Sequence, residues 1–261
     1  MEYKDLVTLL VILLGCCGSQ TVHTLPRKFA KIQQGSRASL VNFPYQLSVE
    51  YYEDFHCGAS ILTEIWAVTA GHCVDGLSTF GLAVRSGSET TKRGGALHPA
   101  ADRASHVHYD FFGLDYDIGL IKVDSAFKLG RLARPLPLAR TEPLTGAVAV
   151  QTGWGSGAGQ PRLMSDRLLV DTLQVANRSL CMTRYAKVGE VTRRMLCAVA
   201  AAESGAACSV DPGGPLVADG RLIGVVSWAT GCVSAGQPGV YADVAEMADW
   251  VLEYVRNYDT A

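Results

Sequence analysis

Three stretches of this chain carry side chains able to do acid–base or nucleophilic chemistry. His72 stands directly before a cysteine in Ala67-Val-Thr-Ala-Gly-His-Cys73, and Asp117 opens the apolar run Asp117-Ile-Gly-Leu-Ile121. The third is the glycine-rich loop Cys208-Ser209-Val210-Asp211-Pro212-Gly213-Gly214-Pro215. A histidine works as a general base only when a nucleophile lies within hydrogen-bond reach, and a carboxylate behind it fixes which ring nitrogen holds the proton. Alone, His72 is an ordinary packed histidine; only a fold that gathers the three stretches gives it chemistry. Within the loop, Ser209 is the one hydroxyl, while Pro212 offers neither a nucleophilic atom nor an N–H.

Other candidates are weaker. His106 and His108 share a strand face by spacing, but no third ligand lies in sequence reach, so they are expected to be exposed strand residues. No Cys-x-x-Cys pair is present, and neither metal nor cofactor is expected. Asn177-Arg178-Ser179 fits the N-glycosylation acceptor pattern, and Asn177 would equally suit a helix cap.

The elements that must position these residues are mostly short strands. Tyr45–Tyr51 alternates with period two. Ile65–Thr69 and Ile118–Val123 are apolar enough to be largely buried, and Ala147–Gln151 runs into the turn Gly153-Trp154-Gly155. Pro215–Ala218 and Arg221–Trp228 flank Asp219-Gly220, a strong two-residue hairpin signal. At the end the period changes: Val244, Met247, Ala248, Val251, Leu252 and Val255 lie on one stripe of a helix. With 27 glycines and only 18% charged residues, the composition suits an all-β domain closed by that helix.

The N-terminus has the pattern of a secretory signal: Lys4, the apolar run Leu6–Leu14, then small residues. We read 1–18 as a signal peptide, 19–31 as a short propeptide and 32–261 as the folded domain. Secretion makes disulfides the default for Cys57, Cys73, Cys181, Cys197, Cys208 and Cys232, which allow fifteen pairings. The chain carries −2 overall, +2 of it in residues 1–31, so that residues 32–261 carry −4. That balance argues against nucleic acid as a partner, and no apolar run is long enough to make the membrane one.

Five segments in order together resemble the chymotrypsin/trypsin-like serine proteases: the His72 and Asp117 segments, Gly153-Trp154-Gly155, the Cys208–Pro215 loop, and Ser227-Trp-Ala-Thr-Gly-Cys232 with Pro238-Gly-Val-Tyr241. The resemblance covers Ile32 to about Tyr258. It implies two six-stranded antiparallel β-barrels with the site between them, and the pairings Cys57–Cys73, Cys181–Cys197 and Cys208–Cys232. His72 and Asp117 match the family's base and orienting carboxylate, and Ser227 matches the serine that buttresses the aspartate. Pro212, however, stands where the attacking serine belongs, and Val210 where a glycine belongs. In this family the N–H groups of those two positions form the oxyanion hole, so one donor is absent and the other impaired. Ser209 matches the pocket entrance and does not face the histidine.

The resemblance implies further departures. Ala206, followed by Ala207, replaces the carboxylate at the base of a trypsin-like specificity pocket. Ala229 replaces a wall glycine, whereas Trp228 and Gly239 remain. Lys31-Ile32 resembles the activation cleavage site, and Asp211 is the expected partner of the new amine. The expectation is a secreted, proteolytically inactive homologue. It would act by binding a protein or peptide, as regulator, cofactor or decoy in an extracellular protease pathway, with a protease or its substrate as partner. The alternative is a functioning serine endopeptidase with a small, apolar specificity pocket.

Overall fold

The computed structural model describes residues 35–155, 164–200, 206–208 and 211–260. Six strands close into a first antiparallel barrel: β2 (Gln46–Tyr51), β3 (Asp54–Ile61), β4 (Trp66–Thr69), β5 (Leu82–Ser86), β6 (Ala96–Ser105) and β7 (Gly119–Val123), in the order β2-β3-β4-β7-β6-β5. A second set runs β9 (Leu169–Ala176), β10 (Met195–Ala200), β13 (Gly239–Asp243), β12 (Arg221–Trp228), β11 (Pro215–Ala218) and β8 (Val148–Gly153), closed by β8 pairing with β9. The two-residue β1 (Ser36–Arg37) adds to the start of β9. Helix α1 (Arg178–Tyr185) precedes β10, and α2 (Val244–Thr260) ends the chain. The expected architecture of two six-stranded barrels with a C-terminal helix is therefore present.

Closure leaves few strand faces for water. The polar residues that alternate along β2 are buried, with Gln46, Ser48 and Glu50 each no more than 3% exposed. They are satisfied by long-range partners. Thr152 Oγ1 donates to Gln46 Oε1 at 2.6 Å, and Arg85 Nε donates to Glu50 Oε1 at 2.6 Å. A period-two pattern here thus marks one apolar face and one hydrogen-bonded face, both interior.

Turn chemistry follows the sequence in one place and departs from it in another. Asp219 and Gly220 both have positive φ between β11 and β12, as an Asp-Gly hairpin requires. Tyr52 and Glu53, between β2 and β3, also have positive φ without any glycine. The Tyr52 ring packs against Gly81, and its N–H donates to the Gly81 carbonyl at 2.8 Å, which holds the tip in that conformation.

Helix α2 begins where the buried Asp243 accepts the Ala245 N–H at 3.1 Å. Val244, Met247, Ala248 and Val251 then join the first barrel's core together with Val225 and Ala242 of the second. Among the described residues, no helix is long and apolar enough to cross a membrane.

Candidate functional site

Strand β4 delivers the histidine. After Thr69 the chain makes one 3-10 turn, Gly71–Cys73, and Cys73 is held by its disulfide to Cys57 on β3. Asp117 lies two residues before β7, which pairs with β4 from Thr69↔Gly119 onward, so both residues sit at the same end of the first barrel. His72 N–H donates to Asp117 Oδ1 at 2.8 Å, and His72 Nδ1 lies 2.8 Å from Asp117 Oδ2. Because a carboxylate only accepts, Nδ1 is the donor of this pair, and Nε2 lies 3.6 Å from Cys73 Sγ. Ser227, from β12 of the second barrel, donates to Asp117 Oδ2 at 2.5 Å. Three donors thus satisfy a fully buried carboxylate, while 23% of the His72 side chain remains accessible.

The loop before β11 packs beside this relay. The Pro212 carbonyl accepts the Gly58 N–H at 2.8 Å, next to the Cys57–Cys73 disulfide. Gly213 has φ +78, its N–H donates to Val226, and Gly214 N–H donates to Asp211. Pro212 itself is exposed. A proline ring carries no nucleophilic atom and its nitrogen has no N–H to donate. Val210 and Ser209 lie outside the described residues, as do Lys31 and Ile32.

Gly213 admits no side chain. A Cβ there would lie 2.2 Å from Thr69 Oγ1 and 2.4 Å from the Gly58 carbonyl, the two atoms joined in the 2.8 Å Thr69–Gly58 hydrogen bond. Gly213→Ala adds left-handed backbone strain of about 1 kcal/mol to overpacking of about 1–3 kcal/mol. We expect the thermal midpoint to fall by roughly 6–12 °C, read by circular dichroism. An unchanged midpoint would show that the loop is not seated against β4.

Asp211 is buried and has no charged partner among the described residues. Its carboxylate accepts the backbone N–H groups of Trp154 and Gly155, but removal from water outweighs them and pushes its pKa up to about 7. The sequence expectation pairs Asp211 with an amine at Ile32, which lies outside the described residues; among those described, these two amides hold it.

The residues expected to wall a specificity pocket lie on or beside strands of the second barrel. Ala207 exchanges both backbone hydrogen bonds with Val233 at 2.8 Å, and the Cys208–Cys232 disulfide ties the two segments. Trp228 stacks edge-on against Tyr185 of α1 at 4.7 Å, and the Tyr185 hydroxyl donates to the Pro238 carbonyl. A Cβ on Gly239 would meet Tyr241 Oη and Val233 Cγ2 at 2.8 Å each, so that wall must be glycine. Ala206 and Ala229 are half-buried, and Ala206, Ala207, Trp228, Ala229 and Gly239 bring no charge. The third disulfide, Cys181–Cys197, binds α1 to β10, completing the three expected pairings.

Two features escaped the sequence reading. His106 is not an exposed strand residue. It follows β6, is 7% exposed, and stacks on Tyr116 at 4.5 Å with Trp250 of α2 behind it. Burial lowers its pKa to about 4, with His108 nearby adding to the shift. The Arg194 guanidinium also lies over the Tyr116 ring, 4.4 Å from its centre. The same guanidinium grips Asp115 through two nitrogens, and Thr192 Oγ1 donates to Asp115 at 2.8 Å. Tyr116 has φ +53, and it is the residue before Asp117. The two barrels therefore jointly fix the backbone that presents the carboxylate. The only hint in sequence was an aromatic next to Asp117.

Comparison with known proteins agrees with this geometry. The family model described as Trypsin matches residues 32–251. Trypsin alpha of Drosophila erecta is 32% identical over 250 residues, 95% of this chain and 97% of that protein. Trypsin epsilon of the same species is 33% identical over 253 residues, covering 96% and 98%. Among solved structures, neuropsin, a serine protease expressed in the limbic system of mouse brain, superposes with a TM-score of 0.76 at 25% identity, over 85% of this chain and 98% of its own.

Proposed function

We infer from this kinship — the chain belongs to the trypsin-like serine protease family — that it is secreted and uses the protease fold for binding without hydrolysis. One observation carries the reading. At the loop position after Asp211 the chain places an exposed proline, whose carbonyl is committed to Gly58 and whose ring offers His72 nothing to activate. The frame that would hold a peptide supports this reading: the barrels, the Cys208–Cys232 disulfide, and Trp228 and Gly239 as expected walls. Ala206 and Ala207 at the pocket base support an occupant with a small or apolar side chain, and no nucleic acid, membrane or cofactor is part of this reading. The partner is a protein or peptide of an extracellular protease pathway, for which the chain serves as regulator, cofactor or decoy. His72 and Asp117 persist as remnants of the catalytic apparatus.

The switching residues fit the same reading. Asp211 is buried and lacks a cation among the described residues, which is a costly arrangement unless some state of the protein supplies one. Cleavage after Lys31 would release the Ile32 amine to serve that role and reset the loop without creating an enzyme.

The intact relay of His72, Asp117 and Ser227 favours a second reading, a working endopeptidase that prefers a small or apolar residue. One assay separates the two. Protein cut after Lys31 is expected to take no label from an active-site phosphonate and to hydrolyse neither casein nor peptide esters. Turnover that disappears in His72→Ala would reject the binding reading and establish the enzyme.

A further inference from the structure

We propose that Asn177 carries an N-linked oligosaccharide, attached in a way that leaves its structural role intact. Asn177 is exposed and is the N-cap of α1. Its two amide atoms have separate tasks. Oδ1 accepts the Ser179 N–H at 2.9 Å and the Ser179 hydroxyl at 2.7 Å. Among the described residues Nδ2 has no partner. The residue between them does not obstruct the acceptor: Arg178 turns away, donating to the Met195 carbonyl at 3.1 Å and to Glu142 at 2.8 Å. Asn-Arg-Ser therefore meets the acceptor rule, with the serine hydroxyl already on the asparagine carbonyl and the amide nitrogen open.

The chemistry uses only that nitrogen. Nδ2 attacks C1 of the first sugar of a lipid diphosphate-linked oligosaccharide. The N–C1 bond forms as the C1–O bond breaks, the diphosphate leaves with the electron pair, and one N–H proton is lost to base. The product is still an amide, so Oδ1 continues to cap α1. The glycan also emerges from the helix that bears the exposed Met182.

Modification requires passage through the secretory lumen, so this inference rests on the secretory reading above, and the test separates them. The full chain is expressed in eukaryotic cells once with its own N-terminus and once with a heterologous signal peptide replacing residues 1–18. We expect both to show a mobility shift that peptide-N-glycosidase removes, lost completely in Asn177→Asp and in Ser179→Ala. A shift with the heterologous leader alone upholds the site and rejects the native secretory route. No shift with either leader overturns the proposal. Because aspartate still accepts the Ser179 N–H, Asn177→Asp should keep the thermal midpoint of the deglycosylated protein, whereas Asn177→Ala should lower it by roughly 2–4 °C. That difference shows that loss of the shift in Asn177→Asp is loss of the glycan and not of the fold.

Discussion

Replacing Pro212 with serine will switch on slow peptide hydrolysis. On the reading proposed above, the substitution supplies two groups at once: a hydroxyl in the loop before β11, to meet a histidine whose Nδ1 is already anchored to Asp117 at 2.8 Å, and a backbone N–H. Nothing else in the relay has to be rebuilt, since Ser227 already holds Asp117 at 2.5 Å. The loop tolerates the change, because the carbonyl that accepts Gly58 belongs to either residue. An activated nucleophile is worth on the order of 10⁴–10⁶ in rate, and an oxyanion donor roughly 10²–10³, the two acting as a unit and not additively. Val210 remains, and a β-branched residue resists the backbone freedom a glycine gives there. We therefore expect Pro212→Ser to take the phosphonate label and to hydrolyse substrates with a small apolar side chain, yet to stay roughly 10²–10³-fold below the double variant Val210→Gly/Pro212→Ser. Adding His72→Ala should abolish both activities. If the single variant matches the double, Val210 is harmless to the second donor. If neither variant turns over, proline is not what blocks the chemistry.

Local patterns made much of this fold legible. The runs at Ile118–Val123, Pro215–Ala218 and Arg221–Trp228 became β7, β11 and β12, and the Asp219-Gly220 turn formed as its residue types require. The stripe from Val244 became α2 and continues to Thr260. What remained hidden depends on contacts between residues distant in sequence. Arg194 lies 79 residues from Asp115, and Thr152 lies 106 from Gln46. Neither pair leaves a periodic trace, so the clamp on Asp115 and Tyr116 and the hydrogen-bonded interior face of β2 could not be foreseen. His106 was misplaced for the same reason: its partners Tyr116 and Trp250 come from another segment and from the terminal helix. Resemblance brought His72, Asp117 and Ser227 together, and their side chains do meet, whereas the amides that hold Asp211 were visible only in three dimensions.

Those amides lead to the second large effect, in which Asp211 makes the uncut protein less stable as pH rises. Its pKa is about 7 in the folded chain, because burial penalises the carboxylate more than the Trp154 and Gly155 amides favour it. In the unfolded chain an aspartate titrates near 4. The folded state therefore holds this proton more tightly, and stability falls as pH rises wherever the folded state binds more protons. The penalty is absent below about pH 4, grows from there to pH 7, and is complete above it. Three units correspond to about 4 kcal/mol. Asp243, raised by burial to about 6, adds a slope of the same sign. His56 and His106, lowered by burial, give the opposite slope below their ordinary pKa near 6.5. The informative quantity is thus the difference between wild type and Asp211→Asn, whose amide does not titrate. Unfolding free energies from urea melts between pH 4.5 and 8 should decline more in the wild type, by about 3 kcal/mol across the window. Cleavage after Lys31 should remove that excess, because an Ile32 ammonium beside Asp211 favours the charged carboxylate. Equal slopes in the uncut wild type and Asp211→Asn would mean that Asp211 is not held as a buried acid. A difference that survives cleavage would mean that the new amine never reaches it.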